Sequence, residues 1–226
     1  MPENYIGIMC GTSLDSLDLS LCDFEKNKKI KYFKSYRIRQ SLRDKINECK
    51  NHPNRKKLFS EADELTTEFI IKSLRKFIAA SKTKKIKAIG YPGITVIHNP
   101  KKKISKTLGN PTIIAKESGL KVVADFRLTD MKHGGQGAPL APYFHEYISS
   151  KCRNFLNFIN LGGFANLTYR SDNKLMAFDT GPANYLIDEV SKKYFNKDYD
   201  KNGLLAKKGK INDKALVSML SDKYFY

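Results

Sequence analysis

Y-I-G-I-M-C-G-T-S-L-D-S-L-D-L-S-L-C-D, Tyr5 to Asp23, is the stretch whose reading decides the fold. Tyr5 to Cys10 is an apolar run and reads as a buried strand. The run breaks at Gly11-Thr12-Ser13. It resumes with Leu17, Leu19 and Leu21 alternating with Asp18, Ser20 and Cys22, the period of a strand with one buried face. The turn between the strands holds a glycine, two hydroxyls and Asp15. Such a turn can aim N–H groups and hydroxyls at a phosphate, and its carboxylate can hold the metal that travels with nucleotide phosphates. On the residues alone a plain β-hairpin with a polar tip is the better reading, since short Gly-Thr-Ser turns are common.

Working outward, the 226 residues are 41% hydrophobic and 28% charged, enough to bury a core in one large or two modest domains. There is no run of about 18 apolar residues, so no membrane-spanning helix is expected. Met1-Pro2-Glu3-Asn4 lacks the basic-then-apolar pattern of a secretory signal. Cys10, Cys22, Cys49 and Cys152 are scattered, with no C-x-x-C pair. They read as reduced thiols of a cytoplasmic protein, with neither a zinc site nor a disulfide framework. The formal charge of +18 raises the question of nucleic acid. The lysines are spread in short runs (Lys28-Lys29, Lys101-Lys103, Lys207-Lys210) without interleaved aromatics, so a solvated basic surface is the better reading.

Further along, Lys29 to Tyr36 reads as a polar edge strand, and Ser41 to Lys57 as a surface helix and loop broken at Pro53. Ser60 to Ala80 reads as a helix capped by Ser60 with Asp63, with Leu65, Phe69, Leu74 and Phe77-Ile78 as its stripe. Lys84 to Gly90 returns as a strand, Tyr91-Pro92-Gly93 turns, and Ile94 to His98 is a strand. Lys101 to Pro111 reads as loop, and Thr112 to Ser118 as a helix stopped by Gly119. Lys121 to Ala124 is expected as a brief buried strand that delivers Asp125-Phe126-Arg127 at its carboxyl end, where open α/β sheets place ligands. His133 to Pro142 is a Gly- and Pro-rich loop. Phe155 to Asn160, Ala165 to Tyr169 and Lys174 to Phe178 are strands, with Gly162-Gly163 turning between the first two. Asp179-Thr180-Gly181-Pro182 follows, then a helix from Ala183 to Tyr194 with Pro182 at its start. Asn212 to Leu220 is the last helix, before an apolar end at Tyr224-Phe225-Tyr226. The pattern strand, glycine turn, strand, strand thus occurs twice, as a repeat of organisation without sequence similarity. Two such units facing one another would grip a nucleotide phosphate tail between their glycine turns.

Several segments together resemble the anhydro-N-acetylmuramic acid kinases, of the sugar kinase, Hsp70 and actin superfamily. They are G-I-M-C-G-T-S-L-D (Gly7 to Asp15), H-N-P (His98 to Pro100), V-V-A-D-F-R-L-T-D (Val122 to Asp130) and G-G-Q-G-A-P-L-A-P (Gly134 to Pro142). N-L-G-G-F-A-N-L-T (Asn160 to Thr168), F-D-T-G-P-A-N (Phe178 to Asn184) and G-L-L-A-K-K-G (Gly203 to Gly209) follow in family order. The resemblance implies an α/β fold of duplicated ribonuclease H-like lobes. Residues 1–145 would be the first lobe, and 146–226 the start of an incomplete second one. It implies an ATP-dependent kinase that opens the ring of 1,6-anhydro-N-acetylmuramic acid with water and phosphorylates O6, in cell-wall peptidoglycan recycling. Asp125 would be the base that takes the proton of the attacking water; the residue-level alternative is a carboxylate paired with Arg127. Thr95, Arg127 and Asp130 would shape the sugar site. Gly11, Thr12, Ser13, Leu14, Asp15, Ser16, Leu17 and Asp18 would hold the ATP phosphates, with Asn160, Gly162, Gly163, Asp179, Thr180 and Gly181 serving from the second lobe. Asp15 and Asp179 are the carboxylates suited to the Mg2+ of Mg-ATP. His98 and His133 read as local hydrogen-bonding residues. The implied partners are the sugar and ATP, with a homodimer allowed and no nucleic acid or membrane.

The sequence departs from the family at Ser16, usually glycine, where a Cβ would obstruct a positive φ. It departs again at Pro92-Gly93-Ile94-Thr95, where the family has H-G-Q-T, and at Thr107-Leu108-Gly109, a shortened T-L-Q segment. The family's later P-P-K-S-T-G-R-E segment is absent. Two readings therefore stand: a working kinase, completed where needed by a second polypeptide, and an inactive partial chain that at best binds nucleotide or sugar weakly.

Overall fold

Leu17, Leu19 and Leu21 alternate with polar residues, and the strand they form buries all three almost completely. The computed structural model describes residues 3–24, 29–83, 85–150, 157–171 and 174–225, which form two compact units, Met1–Ala141 and Pro142–Tyr226. Cys152, Lys28, Lys84 and Tyr226, and the start of the strand expected from Phe155, lie outside the described residues. Cys10, Cys22 and Cys49 are free thiols. The whole is an α/β fold of mixed sheet and helices.

In the first unit β1 (Asn4–Cys10), β2 (Ser16–Asp23) and β3 (Lys29–Arg37) form an antiparallel meander. Helices α1 (Gln40–Asn51) and α2 (Lys56–Ser81) follow, then β4 (Ile86–Gly90), which pairs parallel to β1. A two-stranded antiparallel hairpin comes next, β5 (Ile94–Asn99) and β6 (Ile104–Leu108). Then come α3 (Pro111–Ser118), β7 (Val122–Val123) and α4 (Phe126–Lys132). β7 pairs parallel to β4, so the sheet runs β3-β2-β1-β4-β7.

Its core is one face of this sheet against α2. Leu58, Ala62, Thr66, Ile70, Leu74 and Phe77 fall at three- and four-residue spacing along the helix and are all buried. Ile70, Leu74 and Phe77 meet Ile6, Ile8, Leu17, Leu19, Leu21 and Ile89. Each such side chain stabilises by roughly 1.5–3 kcal/mol on burial. A second cluster joins Leu14 to Ile46, Cys49, Leu58, Ala62, Ile94 and Leu108.

Some expectations are corrected here. Ser60 is not a cap: α2 starts a turn earlier, after Arg55, because nothing between Lys56 and Ser60 breaks a helix. Asp63 accepts the Gly109 N–H at 2.7 Å instead, and Leu65 faces outward. The expected loop from Lys101 to Pro111 contains β6, whose alternation is masked by its lysine and serine content. β7 is only two residues long, and Val123 is exposed. Asn110 caps α3 by accepting from the N–H groups of Thr112 and Ile113, and Gly119 closes it in the left-handed region.

The second unit holds α5 (Ala141–Ser149), β8 (Phe158–Leu161), β9 (Phe164–Ser171), β10 (Lys174–Pro182), α6 (Asn184–Phe195) and α7 (Asp213–Leu220). Its strands form an antiparallel sheet in the order β10-β9-β8. β10 runs through Asp179-Thr180-Gly181 to Pro182, with a register shift between Asp179 and Gly181. Pro182 is therefore the end of an edge strand, where its missing N–H costs least, and α6 begins after Ala183. α4 and α5 had no signal in the composition of their loops.

Candidate functional site

β1, β4 and β7 run parallel, so their carboxyl ends share one edge of the sheet. The Gly11–Asp15 turn leaves β1 at that edge and Asp125 follows β7, two strand spacings away, roughly 10 Å. The chain direction alone thus assembles the two most chemically suggestive parts of the first unit.

The turn is fixed from below. Leu14 takes a left-handed conformation (φ 58°), donates its N–H to the Gly11 carbonyl at 3.1 Å, and buries its side chain in the second cluster. That conformation costs a leucine about 1–2 kcal/mol, which its burial offsets. Gly11, Thr12, Ser13 and Asp15 are left facing solvent. Leu17 is in the core, so Leu14 and Leu17 have only main-chain groups to offer a phosphate. Asp15 pairs with Arg43 at 3.1 Å, and its carbonyl accepts the Ile38 N–H. Ser16 starts β2 without a positive φ, so the Cβ that replaces the family's glycine causes no strain here. Its hydroxyl donates to Asp18 at 2.9 Å. Arg43, a cation beside the turn, was invisible to motif reading because it lies on α1; it became relevant only once the sheet and helix were placed.

Asp125 caps α4 in the left-handed region (φ 57°, ψ 27°), and its carbonyl accepts the Thr129 N–H at 2.9 Å. Aspartate tolerates this conformation better than most residues. Its carboxylate is exposed and has no partner among the described residues. The alternative of an Asp125–Arg127 pair is not what forms. Arg127 instead donates to the Gly137 carbonyl at 2.7 Å, and burial pushes its pKa down. Asp130 accepts the Gly137 N–H on its carboxylate at 2.7 Å and the Gly135 N–H on its carbonyl at 2.9 Å. Arg127 and Asp130 thus stitch the glycine loop to α4. The stitching needs close approach: a Cβ on Gly135 would overlap the Asp130 carboxylate. One on Gly137 (φ 71°) would meet the Arg127 carbonyl and the His98 ring at 2.9 Å. His98 departs from expectation. Both its ring nitrogens are buried with no hydrogen-bond partner among the described residues, because the ring packs against Gly137. His133 bonds locally, Nδ1 to the Thr129 carbonyl at 2.8 Å. Thr95 is half-buried on β5, opposite Thr107.

In the second unit the register Asn160↔Asn166↔Asp179 sets three polar side chains in one row across β8, β9 and β10. Cross-strand partners share a face. Asn166 was not singled out in the sequence; its signal was the even spacing from Thr168 on a period-two strand. The Gly162 carbonyl accepts the Asn184 N–H, and the Gly163 carbonyl accepts those of Ala183 and Tyr185, at 2.9–3.2 Å. The Asn184 amide donates to the Leu161 carbonyl at 2.9 Å. This turn therefore satisfies the start of α6, and those N–H groups are not free for an anion. Thr180 donates to the Ala165 carbonyl at 3.3 Å, and Gly181 lies against Tyr224. Asp179 is exposed and has no partner among the described residues.

No group of three or more His, Cys, Asp or Glu that could hold a metal exists among the described residues. Mg2+ carried by a nucleotide requires only one or two carboxylates besides the phosphates, a donor set that exposed Asp15 or Asp179 fits. No helix among the described residues is long and apolar enough to cross a membrane.

The family model for anhydro-N-acetylmuramic acid kinase matches residues 3–226. The protein of that name from Sulfurimonas denitrificans is 39% identical over 100% of this chain and 62% of its own length. Those from Hydrogenovibrio crunogenus and a Sulfurovum species are 33% and 37% identical, over 98% and 99% of this chain and 61% and 63% of their own. The chain therefore spans about three-fifths of the length of these curated relatives. A crystal structure described as a ROK family transcriptional regulator aligns with 80% of this chain and 41% of its own, at 15% identity and a TM-score of 0.37, too loosely to bear on the argument.

Proposed function

We propose, because this chain belongs to the anhydro-N-acetylmuramic acid kinase family, that it contributes the phosphate turn and the general base of an ATP-dependent sugar kinase. The reaction is conversion of 1,6-anhydro-N-acetylmuramic acid, ATP and water to N-acetylmuramic acid 6-phosphate and ADP, in recycling of cell-wall peptidoglycan. The observation that carries the reading is Asp125: an exposed carboxylate, without a partner among the described residues, at the carboxyl edge that also bears the Gly11–Asp15 turn. Asp125 takes a proton from the water that attacks the anomeric carbon. The bond from that carbon to O6 breaks, and O6 then attacks the γ-phosphorus. Thr12, Ser13 and the main chain of Gly11 to Asp18 orient the phosphates, while Arg43 is placed to offset their charge. Mg2+ bound with ATP supplies further charge neutralisation, with Asp15 or Asp179 as its protein ligand. Asn160, Gly162, Gly163, Thr180 and Gly181 serve the phosphates from the second unit, chiefly by shaping the row that ends at Asp179. Arg127 and Asp130 shape the sugar site through the glycine loop they hold, and Thr95 lines it.

In this reading the sheet order β3-β2-β1-β4-β7 is a ribonuclease H-like lobe, and β8-β9-β10 opens a second. Residues 1–145 carry the turn and base, and 146–226 begin the partner lobe. The protein works in the cytoplasm, as a monomer or homodimer, without nucleic acid. A second reading, binding without turnover, is favoured by the near absence of buried apolar side chains among the described residues of the second unit.

Mass spectrometry of the purified chain with ATP, Mg2+ and 1,6-anhydro-N-acetylmuramic acid tests both. Phosphorylated product that is lost in Asp125→Asn, with an unchanged Tm, supports the kinase reading. An ATP-dependent rise in Tm without product leaves the binding reading. Neither product nor a rise overturns both.

A further inference from the structure

Helix α1 packs beside the Gly11–Asp15 turn. Ile46 and Cys49 are its buried residues, and both belong to the cluster around Leu14, the plug of the turn. Arg43 of the same helix pairs with Asp15, the last residue of the turn, at 3.1 Å. Lys50 comes two helical turns later, so it lies on the same side of α1 as Arg43, roughly 10 Å further along the axis. There it is near enough to the thiol of Cys10, the last residue of β1, for the two to interact electrostatically. Cys10 itself packs against the Leu14 cluster. Arg43 and Lys50 therefore flank the turn, one at its end and one at its start.

The two cations differ in what they already hold. Arg43 is engaged by Asp15. Lys50 is half-buried, with no hydrogen bond or ion pair among the described residues. Burial pushes its pKa down, and no carboxylate acts against that. A partly desolvated ammonium is costly to keep without a counter-charge. Two carboxylates, Asp15 and Asp18, bear on the same corner, and Arg43 offsets only one of them. A phosphate tail on the turn would meet net negative charge unless a second cation reached it. We propose that Lys50 is that cation, and that its ammonium binds the terminal phosphates of a nucleoside polyphosphate held by the turn. It stands on the β1 side of the turn, the side from which β4 and β7 continue toward Asp125. This role rests on the reading of Gly11 to Asp15 as a phosphate turn. It adds a specificity to that turn: Lys50 distinguishes a polyphosphate, long enough to span from Arg43 to Lys50, from a monophosphate. A lysine suits the task because its compact charge meets phosphate oxygens without a fixed fork geometry.

Calorimetric titration of the full chain with ATP, ADP and AMP, each with Mg2+, tests it. Lys50→Met should weaken ATP about tenfold and ADP less, and leave AMP within about twofold of the wild type. Lys50→Arg, which restores the charge, should recover most of the ATP affinity. A second readout needs no variant: acetylation of Lys50 by acetic anhydride, followed by mass spectrometry, should slow about tenfold under saturating ATP and hardly at all under AMP. Wild-type binding of ATP with no loss in Lys50→Met, or with an equal loss for AMP, overturns the role of Lys50 and leaves the phosphate turn standing. So does an acetylation rate that ATP does not change. A lower Tm with unchanged nucleotide affinity would make Lys50 only a charge at the end of α1, where a cation favours the helix, and overturns the role as well. A wild-type chain that binds none of the three nucleotides removes the phosphate turn and Lys50 together.

Discussion

The two units apply the same strand-turn-strand-strand opening to opposite ends. In the first, the alternating leucines of β2 and the stripe of α2 meet, and Leu17, Leu19, Ile70 and Phe77 are wholly buried. In the second, Ala165 and Pro142 are the only apolar residues that are buried among the described residues, while Ile159, Phe178 and Val190 face solvent. Hydrophobic pattern is similar in kind in both; what differs is whether a second apolar layer is present to receive it. A period-two or 3.6-residue pattern states which face wants burial, not whether burial occurs. The first unit can hold the Gly11–Asp15 turn and Asp125 in place because its layers are complete.

The strongest way to break this contrast is a matched pair of aromatic deletions. Phe77→Ala removes a fully buried ring and should cost about 3–5 kcal/mol in urea unfolding. Phe178→Ala removes a ring that is 45% exposed and should cost under about 0.5–1 kcal/mol in the chain alone. Equal losses would show that the second unit has a core of its own.

Much of the first unit was legible because its signals are local. The alternation at Leu17, Leu19 and Leu21, the Gly119 stop of α3 and the strand that ends at Gly90 all lie within a few residues of what they specify. The polar strand β6 was not legible, since Ser105, Lys106 and Thr107 show no apolar alternation and take their conformation from β5. The start of α2 was misplaced because Ser60 fits a cap that Lys56 to Phe59 do not need. For the site, motif order pointed to Gly11–Asp15 and Asp125, and parallel pairing put them on one edge. Arg43 and Asn166 depended on register and helix placement, which no linear motif encodes. The roles of Arg127 and Asp130 as stitches of the glycine loop likewise required knowing that the loop folds back onto α4.

A sharper probe lies where core and site meet. Leu14→Ala removes the plug beneath the Gly11–Asp15 turn and should cost about 2–4 kcal/mol; in the proposed role of that turn, it should also weaken ATP-dependent stabilisation relative to the wild-type chain. Leu14→Met, close in volume, should cost under about 1.5 kcal/mol and retain the nucleotide response. If Leu14→Ala lowers stability but leaves the ATP response intact, the turn does not depend on its plug. Asp130→Ala should follow, at about 1–3 kcal/mol, by leaving the Gly137 N–H unsatisfied. Rapid hydrogen exchange should then be confined to residues 133–140.

The smallest effects distinguish the units by the sign of their response to acid. Burial raises the Asp63 pKa, against the lowering influence of the Gly109 N–H. The folded state therefore holds that proton more tightly than the unfolded chain. Its contribution is fully present below the ordinary carboxylate value and is lost as pH rises through the raised one. Asp63→Asn keeps an acceptor for Gly109 and should flatten the first unit's stability across that window. Burial lowers the His145 pKa in the second unit, so its neutral form is the one the fold holds. That contribution is present above the ordinary imidazole value of 6.5 and is lost as pH falls through the lowered one. Acidification from pH 7 should then speed exchange at α5 and β9, where His145 meets Phe158 and Thr168, and leave β1 and β2 unchanged. His145→Phe retains the stack without the titration and should abolish that acid response. If it persists in the variant, the second unit's sensitivity to acid has another source than His145.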